Sequence, residues 1–195
     1  MKILIAVDGS AHAHKMSTMV QCDAAGTGDP GTVNGPDPIR RISKGATCMF
    51  KHILIPTDGS PVAAKAVKAG LELAKEIGAT VTVYYGLDPM PAPYYGDGYT
   101  VDARAINDIE RSARATGEKV LDKIEQTAKA AGVPFNALIT KPATPYDGII
   151  AAAKKCKCDV IFMASHGRRG IASLVLGSVT NKVLSHSKIP VLVYR

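Results

Sequence analysis

The stretch "HILIPTDGSPVAAK", residues 52–65, decides the architecture. Its first half is a short apolar run, the pattern of a strand buried on both faces. "DGSP" then interrupts it. Ser60 suits a helix N-cap, and Pro61 stands where the first turn of a helix accepts proline. Val62, Ala66, Val67, Leu71, Ala74 and Ile77 follow near helical spacing, and Gly78 closes the segment. The stretch reads as strand, tight turn and helix, the opening of a βαβ unit.

The chain repeats that alternation to its end. "TVTVYYG" (80–86) reads as a strand. Residues 87–100 hold three prolines and three tyrosines and read as a loop. Tyr94, Tyr95 and Tyr99 are its candidate lid residues. Residues 101–131 put Ile106, Ile109, Ala113, Val120, Ile124 and Ala128 on one helical face, and Gly132 ends them. "FNALIT" (135–140) is a strand. Thr144-Pro145 opens a helix running to about Cys156. "DVIFMAS" (159–165) is a strand, Ser178–His186 a helix and "PVLVYR" (190–195) a strand. Strands alternating with helices imply a parallel sheet. Ligands of such sheets sit outside the C-terminal strand ends, where strand order reverses. The loops after 52–57 and 159–165 are therefore the places to search.

The second of those loops is "MASHGRRGIASLVLGSVT", residues 163–180. Gly167, Gly170 and Gly177 allow a ligand to approach the backbone closely. Ser178, Val179 and Thr180 open a helix, so their free N–H groups and the helix dipole favour an anion such as phosphate. Arg168 and Arg169 are candidates to neutralise a phosphate chain. His166 reads as a hydrogen-bonding or spacer residue rather than a catalytic base. No GxxxxGK[ST] loop and no Ser/His/Asp triad is written in the chain.

Composition narrows the function class. The chain has 195 residues, 46% hydrophobic, with a formal charge of +7. That length suits one domain, or one domain with an appendage. No apolar run reaches the roughly 20 residues a membrane helix needs. The N-terminal apolar run is shorter than the core of a signal peptide, so a cytoplasmic location is expected. The basic residues are interspersed with acidic ones, and no nucleic-acid-binding motif accompanies them. Cys156 and Cys158 are too close for an ordinary disulfide framework. His12 and His14 beside Asp8 lack the further ligands of a metal site. The GxGxxG at 26–31 is preceded by no strand, followed by no helix and broken by Pro30.

Residues 2–15, "KILIAVDGSAHAHK", match 52–65 at eight of fourteen positions. A Gly- and Pro-rich stretch without core-forming surface separates the two copies. Residues 1–48 are therefore expected to be an incomplete, poorly ordered N-terminal repeat, and 49–195 the complete domain. The alternative is that "KILIAV" adds to an exposed sheet edge.

Residues 50–195 resemble the universal stress protein family. The likeness rests on "HILIPTDGS", on "PYDGII" after Thr144, and on "ASHGRRGIASLVLGSV". The last is similar to the family's nucleotide motif G-x2-G-x9-G-[ST], with Ala164 in place of the first glycine and Gly167, Gly177 and Ser178 in register. The resemblance implies an open, Rossmann-like five-stranded parallel sheet of order 3-2-1-4-5 with helices on both faces. It implies ATP at the switch point, with Mg or Mn. Pro56, Thr57 and Asp58 would line the adenosine side, with Asp58 near the ribose or phosphates, and Gly86 would lie by the adenine. Met163 and His166 join the lining. Ala164, Gly167 and the Gly177, Ser178, Val179, Thr180 turn would hold the phosphates. It also implies a homodimer through the last strand, 190–195, and stress-response protein partners. No general base for water is apparent, so ATP hydrolysis is expected to be slow or absent. A module of the same fold that binds partners but no nucleotide is the alternative. A nucleotidyl transferase would need a signature loop that the chain lacks.

Overall fold

The computed structural model describes residues 3–6, 50–88, 103–167 and 176–195. Residues 3–6 and 50–195 belong to one compact unit. In chain order the elements are β1 (Ile3–Ala6), β2 (His52–Thr57), α1 (Pro61–Ile77), β3 (Thr80–Gly86), α2 (Ala103–Ala131), β4 (Phe135–Thr140), α3 (Pro145–Lys155), β5 (Val160–Ala164), α4 (Ser178–His186) and β6 (Val191–Tyr194). The sheet order is β1-β6-β5-β2-β3-β4. The five strands from β2 onward are parallel, in the expected 3-2-1-4-5 order. The strand order reverses between β2 and β5, where β5 and β6 continue on the side away from β3. Crossovers leaving β2 and β5 therefore diverge, and a crevice opens at their C-terminal ends.

β1 is the sixth strand. It runs antiparallel to β6, with Ile3 opposite Tyr194 and Ala6 opposite Val191. Residues 3–6 thus form the edge strand raised as an alternative from the sequence. The rest of the N-terminal segment lies outside the described residues.

The central strands are apolar on both faces because helices cover both. Along β2 the side chains alternate. Leu54 packs with Ile161, Met163, Val193, Ile149 and Val183 in the cluster beneath α3 and α4. Ile55 points the other way: a Cβ placed on Gly70 of α1 would lie 2.6 Å from its Cδ1 and 3.1 Å from Phe162 Cδ1. α1 starts as the sequence implies. Ser60 Oγ accepts from Ala63 N at 3.2 Å, and Gly78 ends the helix at φ 69° in the left-handed region. The Thr144 side chain makes no such cap: its Oγ1 donates to Asp147 Oδ2 at 2.7 Å. Ile109 also departs from expectation. It is 53% exposed, so this turn of α2 turns an apolar residue away from the sheet.

The N-terminal ends of β2 and β5 are tied by Asp159, whose carboxylate accepts from Lys51 N and His52 N at 2.7 and 3.1 Å. Beside it, burial pushes the Cys158 thiol up to about 12, with Cys156 and Asp159 adding to the shift and a Thr82 hydrogen bond opposing it. The folded chain therefore holds this proton more tightly than the unfolded one. The stabilisation is complete below the ordinary thiol pKa and is lost as pH rises towards the folded value. We expect the urea midpoint of the native chain to fall between pH 8 and pH 10 more steeply than that of Cys158→Ala. Parallel slopes would contradict the assignment.

Candidate functional site

The crevice is built from two turns. The first leaves β2. Thr57, nearly buried, accepts at Oγ1 from Gly59 N at 3.2 Å, and Asp58 Oδ1 accepts from Ser60 N at 2.9 Å. These bonds to the two following amides fold the chain sharply into α1. They also fix the carboxylate at the mouth of the crevice.

The second turn leaves β5 and returns into α4. Gly177 N donates to Ser165 O at 2.9 Å, so the end of the strand and the start of the helix are clasped. Thr180, 3% exposed, donates from Oγ1 towards Ala164 O at 3.1 Å and Ser165 O at 3.3 Å. Ser165 Oγ and His166 Nδ1 lie 3.0 Å apart. The two turns meet at Gly167, where an added Cβ would sit 2.8 Å from Asp58 Oδ2. A side chain there would fill the cradle.

α4 begins at this clasp, with Gly177 as its N-cap and no side-chain cap. The first bond of the helix runs from Asn181 N to Gly177 O at 2.9 Å. The amides of Ser178, Val179 and Thr180 come before it and have no acceptor within the helix. With the helix dipole they make this end favourable to an anion.

Most of the residues singled out in the sequence converge here: Thr57, Asp58, Ala164, His166, Gly167, Gly177, Ser178, Val179 and Thr180. Pro56 lies one residue before the turn. Gly86 stands at the end of the neighbouring β3, one step beyond the Thr57–Tyr85 pair. Two side chains are turned elsewhere. Met163 is buried in the cluster beneath α3 and α4, so only its backbone is placed at the strand end. The Thr180 hydroxyl is engaged by backbone carbonyls and holds the loop's shape. Ala164 lies within β5. Among the described residues Lys157 is the only non-glycine with positive φ, so alanine at 164 carries no backbone strain. Arg168 and Arg169 lie outside the described residues, as do Tyr94, Tyr95 and Tyr99.

Ser165 is the participant the sequence reading passed over. Its carbonyl takes both the Gly177 amide and the Thr180 hydroxyl. Its position at the exact end of an apolar strand was the available signal. A separate cavity of about 350 Å³ lies between β4 and α3, lined by Leu138, Thr140, Pro142, Asp147, Ala151 and Lys155 among others. None of the candidate nucleotide-site residues lines it. Among the described residues no group of three or more His, Cys, Asp or Glu side chains could hold a metal ion. No helix among them is long and apolar enough to cross a membrane.

Comparison with known proteins agrees with the fold. The family model described as the universal stress protein family matches residues 49–195. Universal stress protein MJ0531 of Methanocaldococcus jannaschii is 30% identical over 157 residues, covering 80% of this chain and 89% of that protein. A solved universal stress protein family structure from Burkholderia pseudomallei has a TM-score of 0.59 at 26% identity, covering 75% of this chain and 96% of the other. A universal stress protein solved in complex with cAMP shares the fold, with a TM-score of 0.55 at 24% identity, covering 75% of this chain and 97% of the other.

Proposed function

This chain belongs to the universal stress protein family, and from that premise we propose that it binds ATP at the ends of β2 and β5 and acts as a stress-response module without substantial catalysis. The observation that carries the proposal is the clasp of Gly177 on Ser165 beside the Gly167–Asp58 contact. It brings Gly167 and Gly177, which carry no side chains, to the start of α4, whose leading amides suit a chain of phosphates. A family relative solved with cAMP is consistent with an adenine nucleotide as the ligand class.

In this reading Ser178, Val179 and Thr180 offer backbone amides to the phosphates, and Gly167 allows the chain to pass close. Pro56, Thr57 and Gly86 line the adenosine side. Mg or Mn would arrive with the triphosphate and offset its charge beside Asp58, held mainly by phosphate oxygens. Asp58 Oδ1 accepts from the Ser60 amide and belongs to the turn. In this reading hydrolysis is slow or absent. Where its edge is free, the C-terminal strand is the surface through which two copies join as a homodimer; the protein works in the cytoplasm, and residues 1–48 are an incomplete repeat of the domain's opening.

Thermal unfolding with and without MgATP, beside calorimetric titration, tests the proposal. We expect micromolar binding, and at a hundredfold excess over Kd a stabilisation of about 2.7 kcal/mol. Absence of heat and of thermal shift with ATP, ADP and AMP alike would overturn it and leave the partner-binding module. Gly167→Ala gives a graded check. The added methyl displaces the Asp58 carboxylate, and affinity is expected to fall about tenfold, roughly 1.4 kcal/mol. Unchanged affinity would remove Gly167 from the site.

A further inference from the structure

We propose that residues 3–6 are a built-in cap on the β6 edge, and that this cap prevents two copies of the chain from joining there. β6 pairs with β5 on one side, through Ile161–Val191 to Ala164–Tyr194. Its other side carries a row of backbone donors and acceptors. Val191, Leu192 and Val193 are all buried, so this edge is apolar as well as unsatisfied by β5. Such an edge is a template for any compatible strand.

In this chain the compatible strand is internal. β1 covers all four residues of β6, with Ile3, Leu4, Ile5 and Ala6 opposite Tyr194, Val193, Leu192 and Val191. The direction of that pairing is informative. Every other pair in the sheet is parallel, whereas β1 is antiparallel to β6. Two copies of β6 related by a two-fold axis also pair antiparallel. β1 therefore occupies the edge in the orientation that a second copy's β6 would take, and the two occupants exclude each other.

The competition favours the internal strand. β1 belongs to the same chain as its edge, so it meets β6 intramolecularly, at an effective concentration typically of order millimolar. A second copy at micromolar concentration is outcompeted. The cap is also displaceable, being four residues long and held at one edge only. Its Ile3-Leu4-Ile5 repeats Ile53-Leu54-Ile55 of central β2, so a duplicated opening strand has taken a new place in the sheet. This inference rests on the reading that copies join through β6, and the experiment separates the two.

The test compares the full-length chain with its L4P/I5P variant. Successive N–H groups along a strand point to opposite sides, so two adjacent prolines remove the one facing β6. Sedimentation equilibrium over a wide concentration range gives the mass, and amide exchange reads Leu192–Tyr194. The wild type is expected at the mass of one chain, with these amides protected equally at all concentrations. The variant is expected to move to the mass of two chains. Two-chain mass for both proteins would overturn the cap while leaving the β6 dimer standing. One-chain mass for both, with freely exchanging β6 amides in the variant, would overturn the cap and the β6 dimer together. Exchange in the wild type alone also decides it: protection that rises with concentration would show that a second copy covers the edge. That readout stands even where the variant fails to fold.

Discussion

Gly177→Val is expected to abolish MgATP binding, a loss of at least a hundredfold or about 2.8 kcal/mol. The backbone at 177, with φ −59° and ψ 150°, is open to any residue, so the effect is not conformational strain. It is one of space. A Cβ at 177 would stand 3.2 Å from Ser165 O, tighter than ordinary contact, and 3.4 Å from His166 Cα. Valine adds two methyl groups beyond that point. Ser165 and His166 must move away from the start of α4, which breaks the Gly177 N to Ser165 O bond and turns the leading amides out of register. Gly177→Ala asks only for a shift of a few tenths of an ångström and is expected to lose about tenfold. Both variants should still fold, the valine variant melting lower because the Gly177 N to Ser165 O bond is lost. Calorimetric titration of the three proteins reads the series. Wild-type affinity in the valine variant would place the nucleotide elsewhere.

Gly148→Ala is expected to destabilise the fold by about 1–3 kcal/mol, despite the roughly 1 kcal/mol that alanine gains over glycine within a helix. A Cβ at 148 would lie 2.3 Å from the Tyr84 hydroxyl and 2.7 and 2.8 Å from Cβ and Cγ of Pro142. Tyr84 is 2% exposed, and its hydroxyl is hydrogen-bonded to Thr140 Oγ1 at 2.8 Å. The methyl group must displace that hydroxyl or push α3 away from β3 and β4. Tyr84→Phe removes the obstructing oxygen. In that background Gly148→Ala should cost less, with a coupling of about 1 kcal/mol. A double-mutant cycle by urea unfolding measures this. Strict additivity would contradict the close contact.

The fold was legible because its signals are periodic and local. The buried runs of β2, β3 and β5, the Ser60 cap and Gly78 each announce an element within a few residues. The site was legible because glycine spacing and a helix start survive in sequence order. What depends on the third dimension was hidden. Spacing placed Ile109 on the apolar face of α2, but did not reveal that it stands exposed. Nothing local shows that the Thr180 hydroxyl turns inward to Ala164 and Ser165. "PYDGII" drew notice as a family-like phrase, while the reason for its glycine lies 64 positions away, at Tyr84. The strand character of "KILIAV" was readable, but its pairing with β6 joins opposite ends of the chain.

Amide hydrogen exchange of the full-length chain, with and without saturating MgATP, tests the central claim most directly. Slowed exchange is expected at Gly59 and Ser60, at His166 and Gly167, and at Ser178, Val179 and Thr180, with the sheet's outer edges unchanged. Protection concentrated elsewhere, such as along the β4–α3 cavity, or no change at these amides under conditions where ATP is bound, would contradict it.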